Sequence, residues 1–246
     1  HMLIFGMHVH VGIEDKEMMI DVMNQARYFE PHLLALSTSS PFWDGRDTGL
    51  KSYRSIVFEM LPRTGIPPTF QSYSEYHAII ETLIATGCID EPSKIWWDIR
   101  PHSKVPTLEF RFADICTRVE EVTCIAALVL AIVTKLIKLR HDNQSWRRYR
   151  HHLVTENKWR AVRWGIDGSM IDFGKRSEVS VRDLIYELLV VIDDVVDELG
   201  LRRDVEYVHT ILKDGTSADL QVRVFRETGD LKAVVDHLVE ETKAGL

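Results

Sequence analysis

Apolar and polar positions alternate strictly in two short segments, Gly6-Met7-His8-Val9-His10-Val11-Gly12 and Thr107-Leu108-Glu109-Phe110-Arg111-Phe112-Ala113-Asp114. A period of two predicts half-buried strands. In the first, Phe5, Met7, Val9 and Val11 point to one face and His8 and His10 to the other. In the second, Leu108, Phe110 and Phe112 oppose Glu109 and Arg111. Each strand therefore has an apolar face for a core and a face carrying imidazole, carboxylate or guanidinium. Trp96 to His102 repeats the pattern, with Trp96, Asp98, Arg100 and His102 together, and Ser55 to Met60 reads as a further strand ended by Pro62, Gly65, Pro67 and Pro68.

A helical period governs most of the remainder. Glu14 to Tyr28 places Met18, Val22, Met23 and Ala26 near one face, and His32 to Leu36 continues that helix or starts a short second one. Ser74 to Thr86 is an amphipathic helix closed by Gly87, and further helices are predicted over 117–140, 180–199 and 230–243. Between them Ser37 to Gly49 is a long polar loop, and Phe42 to Arg54 is either an ordinary surface turn or, with Trp43, Arg46 and Arg54, a lid over an anionic substrate. Strands early and helices late argue an α+β fold with an antiparallel sheet, one face of it open for chemistry.

The chain of 246 residues is 45% hydrophobic, enough for a sizeable core. The apolar run Val122 to Leu139 is interrupted by Lys135 and Lys138, and the uncharged stretch before them is too short for a bilayer, so it reads as a buried helix. A net charge of -7 provides no global basic field for nucleic acid. The basic run Trp146 to His152 reads as a solvated loop or helix face, the other reading being a contact with phosphate. Cysteines 88, 116 and 124 have no metal-like spacing and suit reduced thiols; with no signal peptide visible, a cytoplasmic protein is expected. His1-Met2 reads as a cloning remnant.

His8 and His10 share a face beside Gly6 and Gly12, where backbone can approach a ligand. Glu109 and Arg111 are either a cross-strand ion-pair set on a wet face or part of the same site, and Asp98, Arg100 and His102 repeat the pattern. Glu156 to Arg163 is either a helix start with exposed cations or a phosphate contact. Taken together, these residues point to a site that handles a cation and phosphate on an open sheet.

Five segments in order carry a resemblance: the histidine strand, Ser39-Ser40-Pro41-Phe42-Trp43, Thr107 to Asp114, Glu156-Asn157-Lys158-Trp159-Arg160-Ala161, and Arg226-Glu227-Thr228-Gly229-Asp230-Leu231. Over essentially the whole chain the sequence resembles the bacterial carboxylate–amine ligases (YbdK-like) of the type-2 glutamate–cysteine ligase family, and more distantly the glutamine synthetases. The resemblance implies a glutamine-synthetase-like curved antiparallel sheet with helices on its outer face, and nucleotide and metal on its inner face. It implies ATP-dependent ligation: a carboxylate, such as the γ-carboxylate of glutamate, takes the γ-phosphate to form an acyl phosphate, which an amine such as cysteine displaces. By motif match Glu109 would bind magnesium, with His8 binding it or a second ion; manganese is expected to substitute. His10 would sit near the ATP phosphates, and Arg111 would steady the transferring phosphoryl group. Asn157, Arg160 and Arg163 are candidates for phosphate contacts; Arg54, Arg100 and Trp43 are candidates for substrate binding.

Family members open with a glutamate-rich strand of the form Gly-Val-Glu-Glu-Glu-Phe, and no such segment occurs here. The chain is thus expected to be a single catalytic domain fragment over 1–246, about the C-terminal two-thirds of the family domain, with its N-terminal strand or strands lacking. Little activity is expected from it alone, and self-association to cover bared apolar surface is plausible. The alternatives are a non-catalytic relative that binds nucleotide or a partner, and a ligase of the same fold that joins glutamate to another amine or activates another acid.

Overall fold

In the computed structural model, which describes residues 4–244, the longest apolar run becomes the central helix, Val119–His141. Eleven helices and nine short strands are present among the described residues. The helices are α1 (Lys16–Ala26), α2 (Glu30–Leu36), α3 (Tyr53–Glu59), α4 (Tyr73–Ala85), α5 (Val119–His141), α6 (His151–Trp164), α7 (Val181–Val196), α8 (Arg202–Glu206), α9 (Val208–Asp214), α10 (Ser217–Thr228) and α11 (Leu231–Lys243). The strands are β1 (Val9–Gly12), β2 (Phe42–Trp43), β3 (Arg46–Asp47), β4 (Thr64–Gly65), β5 (Trp96–Trp97), β6 (Ile99–Pro101), β7 (Thr107–Phe110), β8 (Ser169–Asp172) and β9 (Ser177–Ser180).

Glu120 and Glu121 sit in the first turn of α5 and Lys138, Arg140 and His141 in its last, the charge order that a helix dipole favours. Cys124, Ile125, Leu128, Ile132 and Leu136 are buried along it, and α1, α7, α8 and β1 pack against it. By length and composition α5 would also pass as a membrane span, but half of its most apolar window is buried inside the protein. Lys135 and Lys138 face α7, pairing with Asp194 at 2.8 and 3.1 Å.

The sheet that matters is antiparallel, in the order β1-β7-β6. Its register pairs Val9 with Phe110 and Val11 with Leu108, and on the far side Ile99 with Phe110 and Pro101 with Leu108. These residues line one face. Val11, Ile99, Leu108 and Phe110 join a single core with Ile20 and Met23 of α1 and Ile125 and Leu128 of α5. The face opposite carries His10, Glu109 and Arg100 in one row. The α+β expectation, with helices behind an antiparallel sheet, therefore holds.

Two local expectations change. Ser55 to Glu59 lies in helix α3, with Met60 as its C-cap, and not in a strand. A short apolar run has no periodicity of its own to separate helix from strand, and here Arg54, Ser55 and Val57 are buried while Glu59 is not. Trp96 to His102 is broken at Asp98: β5 pairs in parallel with β4, and only β6 joins the main sheet. Inside the long loop, β2 and β3 form a hairpin across Asp44-Gly45, both at positive φ (49° and 72°), the mirror-image turn that an Asp-Gly pair favours. All three cysteines are free. In the basic run Arg147, Arg148 and Arg150 are exposed, while Trp146 and Tyr149 pack on Tyr28. His1-Met2 lies outside the described residues.

Candidate active site

Glu109 is the hub of the open face. Although it lies opposite the core, it is only 2% exposed, because two guanidiniums and an imidazole cover it. Arg100 Nε donates to its Oε2 at 2.8 Å and the Arg111 guanidinium to its Oε1 at 2.7 Å. His8 Nδ1 lies 3.2 Å and His10 Nε2 3.7 Å from the same Oε1. Burial alone would push this carboxyl up; hydrogen bonds from His8, Arg100 and Arg111, with the Arg100 charge, outweigh it and hold Glu109 well below the ordinary carboxylate range.

His10 Nδ1 is 3.1 Å from the Thr107 hydroxyl, and its ring meets that of His102 edge-on at 5.2 Å between centroids. Its pKa is lowered, first by burial; Glu109 opposes this, while His102, His8 and Arg100 add to it. One carboxylate against two guanidiniums leaves the face with excess positive charge, which suits an anionic ligand. Beside Arg111, a cavity of about 260 Å³ is walled by Phe58, Leu61 and Trp96. A larger depression of about 450 Å³, walled by Tyr186, Val190 and His209, contains none of these groups.

Behind Arg111 lies a charge cluster that the sequence reading did not assemble. Lys158 Nζ sits 2.6 Å from Asp98, 3.5 Å from Glu59 and 3.8 Å from Glu30. Glu30 is fully buried and its pKa is pushed far up, first by burial and then by Asp98, with Lys158 pulling the other way. The signal was present in the sequence: Arg27 and Glu30 are charged residues inside an apolar stretch, which in a core demands a partner.

His8, His10, Arg100, Glu109 and Arg111 are thus brought together. The other candidates are placed elsewhere. The Arg54 guanidinium is buried and donates to the backbone carbonyls of Arg111 and Phe112. Asn157 exchanges two hydrogen bonds with the backbone of Ile171 in β8. Arg160 pairs with Glu156 and Glu178, and Arg163 donates to the Gly49 carbonyl. Trp43 stacks on Tyr53 at the β2–β3 hairpin. Arg100 also donates to the carbonyls of Ser93 and Ile95.

Among the described residues no cluster of three or more His, Cys, Asp or Glu side chains is placed to hold a metal ion. Magnesium is commonly held by one or two carboxylates, with phosphate and water completing the shell. Glu109 is the one carboxylate of the row, and both its oxygens are engaged by Arg100, Arg111 and His8, so an ion there would share it with them; imidazoles are not the donors this ion prefers.

The fold is shared with solved structures. A glutamate–cysteine ligase from Francisella tularensis in complex with AMP superposes with a TM-score of 0.61 at 14% identity, over 93% of this chain and 58% of that one. A bifunctional glutathione synthetase from Pasteurella multocida gives 0.63 at 17% identity, over 93% and 32%. In sequence, the chain is 57% identical over 245 residues to a Chloroflexus aurantiacus protein named "Putative glutamate--cysteine ligase 2", covering 100% of this chain and 63% of the relative. Like-named proteins of Herpetosiphon aurantiacus and Sorangium cellulosum are 56% and 50% identical, with 64% and 65% of their lengths covered. The chain thus spans a little under two-thirds of the length of these relatives. The profile of glutamate-cysteine ligase family 2 (GCS2) matches residues 1–237, and the chain belongs to that family.

Proposed function

We propose that this chain carries the catalytic sheet of an ATP-dependent carboxylate–amine ligase that joins the γ-carboxylate of glutamate to an amine such as cysteine. The observation that carries the reading is the row His10–Glu109–Arg100 across three strands, flanked by His8 and Arg111 on an open, positively charged face. Forming an acyl phosphate requires charge neutralisation around phosphoryl oxygens, and preorganised guanidiniums supply it without reorganisation. Arg111 would contact the transferring group, with Glu109 fixing its direction. His10, its pKa lowered first by burial, would donate a hydrogen bond to a phosphate. Glu109, with His8 beside it, would be the protein's share of the magnesium site of Mg-ATP; a divalent ion bound there supplies Lewis-acid stabilisation. Manganese is expected to substitute, since imidazole binds it more readily. Asn157, Arg160 and Arg163 already have protein partners, so the proposal does not depend on them.

A single carboxylate beside a polyphosphate is a sparse cradle, so we infer that the 246-residue chain alone turns over slowly. The test is phosphate release from Mg-ATP with glutamate, with and without cysteine, for this chain and for the longer Chloroflexus aurantiacus relative. We expect acid- and amine-dependent release from the relative, and a rate about 100-fold lower from this chain. Equal rates would remove the second claim. Silence from both with every amine, while nucleotide still binds, would favour a binding module over a ligase.

A further inference from the structure

Between the pairs Val9–Phe110 and Gly6–Asp114 the strand register slips by one residue, so that Arg111, Phe112 and Ala113 span only Met7 and His8 opposite. Such a bulge disrupts the ladder and re-aims the side chains on it. Here one side chain takes up two of the carbonyls. Arg54 of α3 donates to the Phe112 carbonyl at 3.0 Å and to the Arg111 carbonyl at 2.9 Å. Its guanidinium also lies over the Phe58 ring, 4.6 Å from the centroid. On the other flank, the Arg111 amide donates to the Asp98 carbonyl at 2.7 Å. The main chain of Arg111 is therefore held from both sides.

The guanidinium reaches the bulge by passing Gly6. A Cβ at that position would lie 2.5 Å from both Nε and Nη2 of Arg54, so no side chain fits there while Arg54 is in place. Gly6 is needed for space, not for a left-handed backbone.

We propose that Arg54 is a positioning residue: by holding the bulge it aims the Arg111 guanidinium at Glu109 and His8, and Gly6 is the residue that admits it. The importance of that aim rests on reading Arg111 as the phosphoryl-contacting group. Arg54 itself touches no reacting atom. A lysine is no substitute, since one ammonium cannot match two carbonyls with a planar fork.

The test follows the Arg111 Nε–Hε resonance in ¹H–¹⁵N spectra, assigned by its loss in Arg111→Lys, together with thermal unfolding. Gly6→Ala and Arg54→Lys are both expected to shift that resonance while the protein remains folded. Gly6→Ala should lower the unfolding midpoint by about 3–8 °C in the native background. With alanine already at position 54 it should lower it by less than about 1 °C, because the obstructing group is gone. An unmoved Arg111 resonance in both single variants, or the same midpoint loss in both backgrounds, would overturn the proposal. If Arg54→Ala does not fold, the two milder variants still decide by the resonance. Titration of the unaltered chain with Mg-ATP reads the other question separately: absence of binding would count against the nucleotide reading and leave the spectroscopic result standing.

Discussion

Glu109 concentrates both the electrostatics and the vulnerability of the site. Its carboxylate is the shared counter-charge of Arg100 and Arg111, whose side chains are 9% and 11% exposed. Glu109→Gln keeps the shape and removes the charge, leaving two nearly buried cations uncompensated. Breaking such a pair costs about 3–5 kcal/mol, and we expect a loss of about 3 kcal/mol in urea unfolding at neutral pH. Because the folded carboxyl is held low, its contribution is complete above the ordinary carboxylate range and disappears as the pH falls through it toward the folded value. The acid limb of the native stability curve should therefore be steeper than that of Glu109→Gln; parallel limbs would contradict the assignment. At this scale the alternation of His8, His10, Glu109 and Arg111 was readable, since a strand's two faces follow from spacing alone. The partners of Arg54, Asn157 and Arg160 were not: a buried arginine on a backbone bulge and one on a ligand look identical in sequence.

At the scale of elements, α5 is the support on which the sheet rests, and its energetics are those of burial. Leu128 is fully buried at its centre. Leu128→Ala should cost about 3–4 kcal/mol through lost transfer energy and residual cavity, measured by chemical denaturation. Lys138→Ala, which breaks ion pairs with exposed partners on and after α7, serves as the control and should change stability little. Equal losses would mean that α5 is not the core helix described. The helices over 119–141, 181–196 and 231–243 were legible within a few residues, because a 3.6-residue period over several turns is a strong local signal. The helix over 53–59 was misread as a strand because seven residues are too few to display a period.

For the molecule as a whole, stability against acid is a further consequence of the packing. His32 is fully buried on α2 with Nδ1 unpartnered among the described residues. Burial pushes its pKa from 6.5 down to about 4, the hydrogen bond at the Tyr28 backbone acting in the opposite sense. The unfolded imidazole takes its proton near 6.5 and the folded one resists until about 4, so this stability is intact above pH 6.5 and lost between those values. The full loss is about 3 kcal/mol. His32→Phe should flatten the stability–pH curve in that window, and an unchanged slope would show that another group sets it. The rings of Tyr28 and Phe29 pack against His32, and two residues before it on α2 Glu30 meets Lys158 of α6 in the cluster behind the site.

What the sequence determined by itself was local: which faces of β1 and β7 are apolar, where the long helices run, and which residue types stand on the chemical face. Those properties depend on neighbours a few positions apart, and periodicity encodes them directly. Only the tertiary structure decided that His10, Glu109 and Arg100 fall in one row, that Arg54 serves the bulge at Arg111, and that Asp98 meets Lys158 60 residues away. Each of these is a contact between distant segments. It is set by strand register and by how helices pack behind the sheet, and neither composition nor spacing within one segment contains that information.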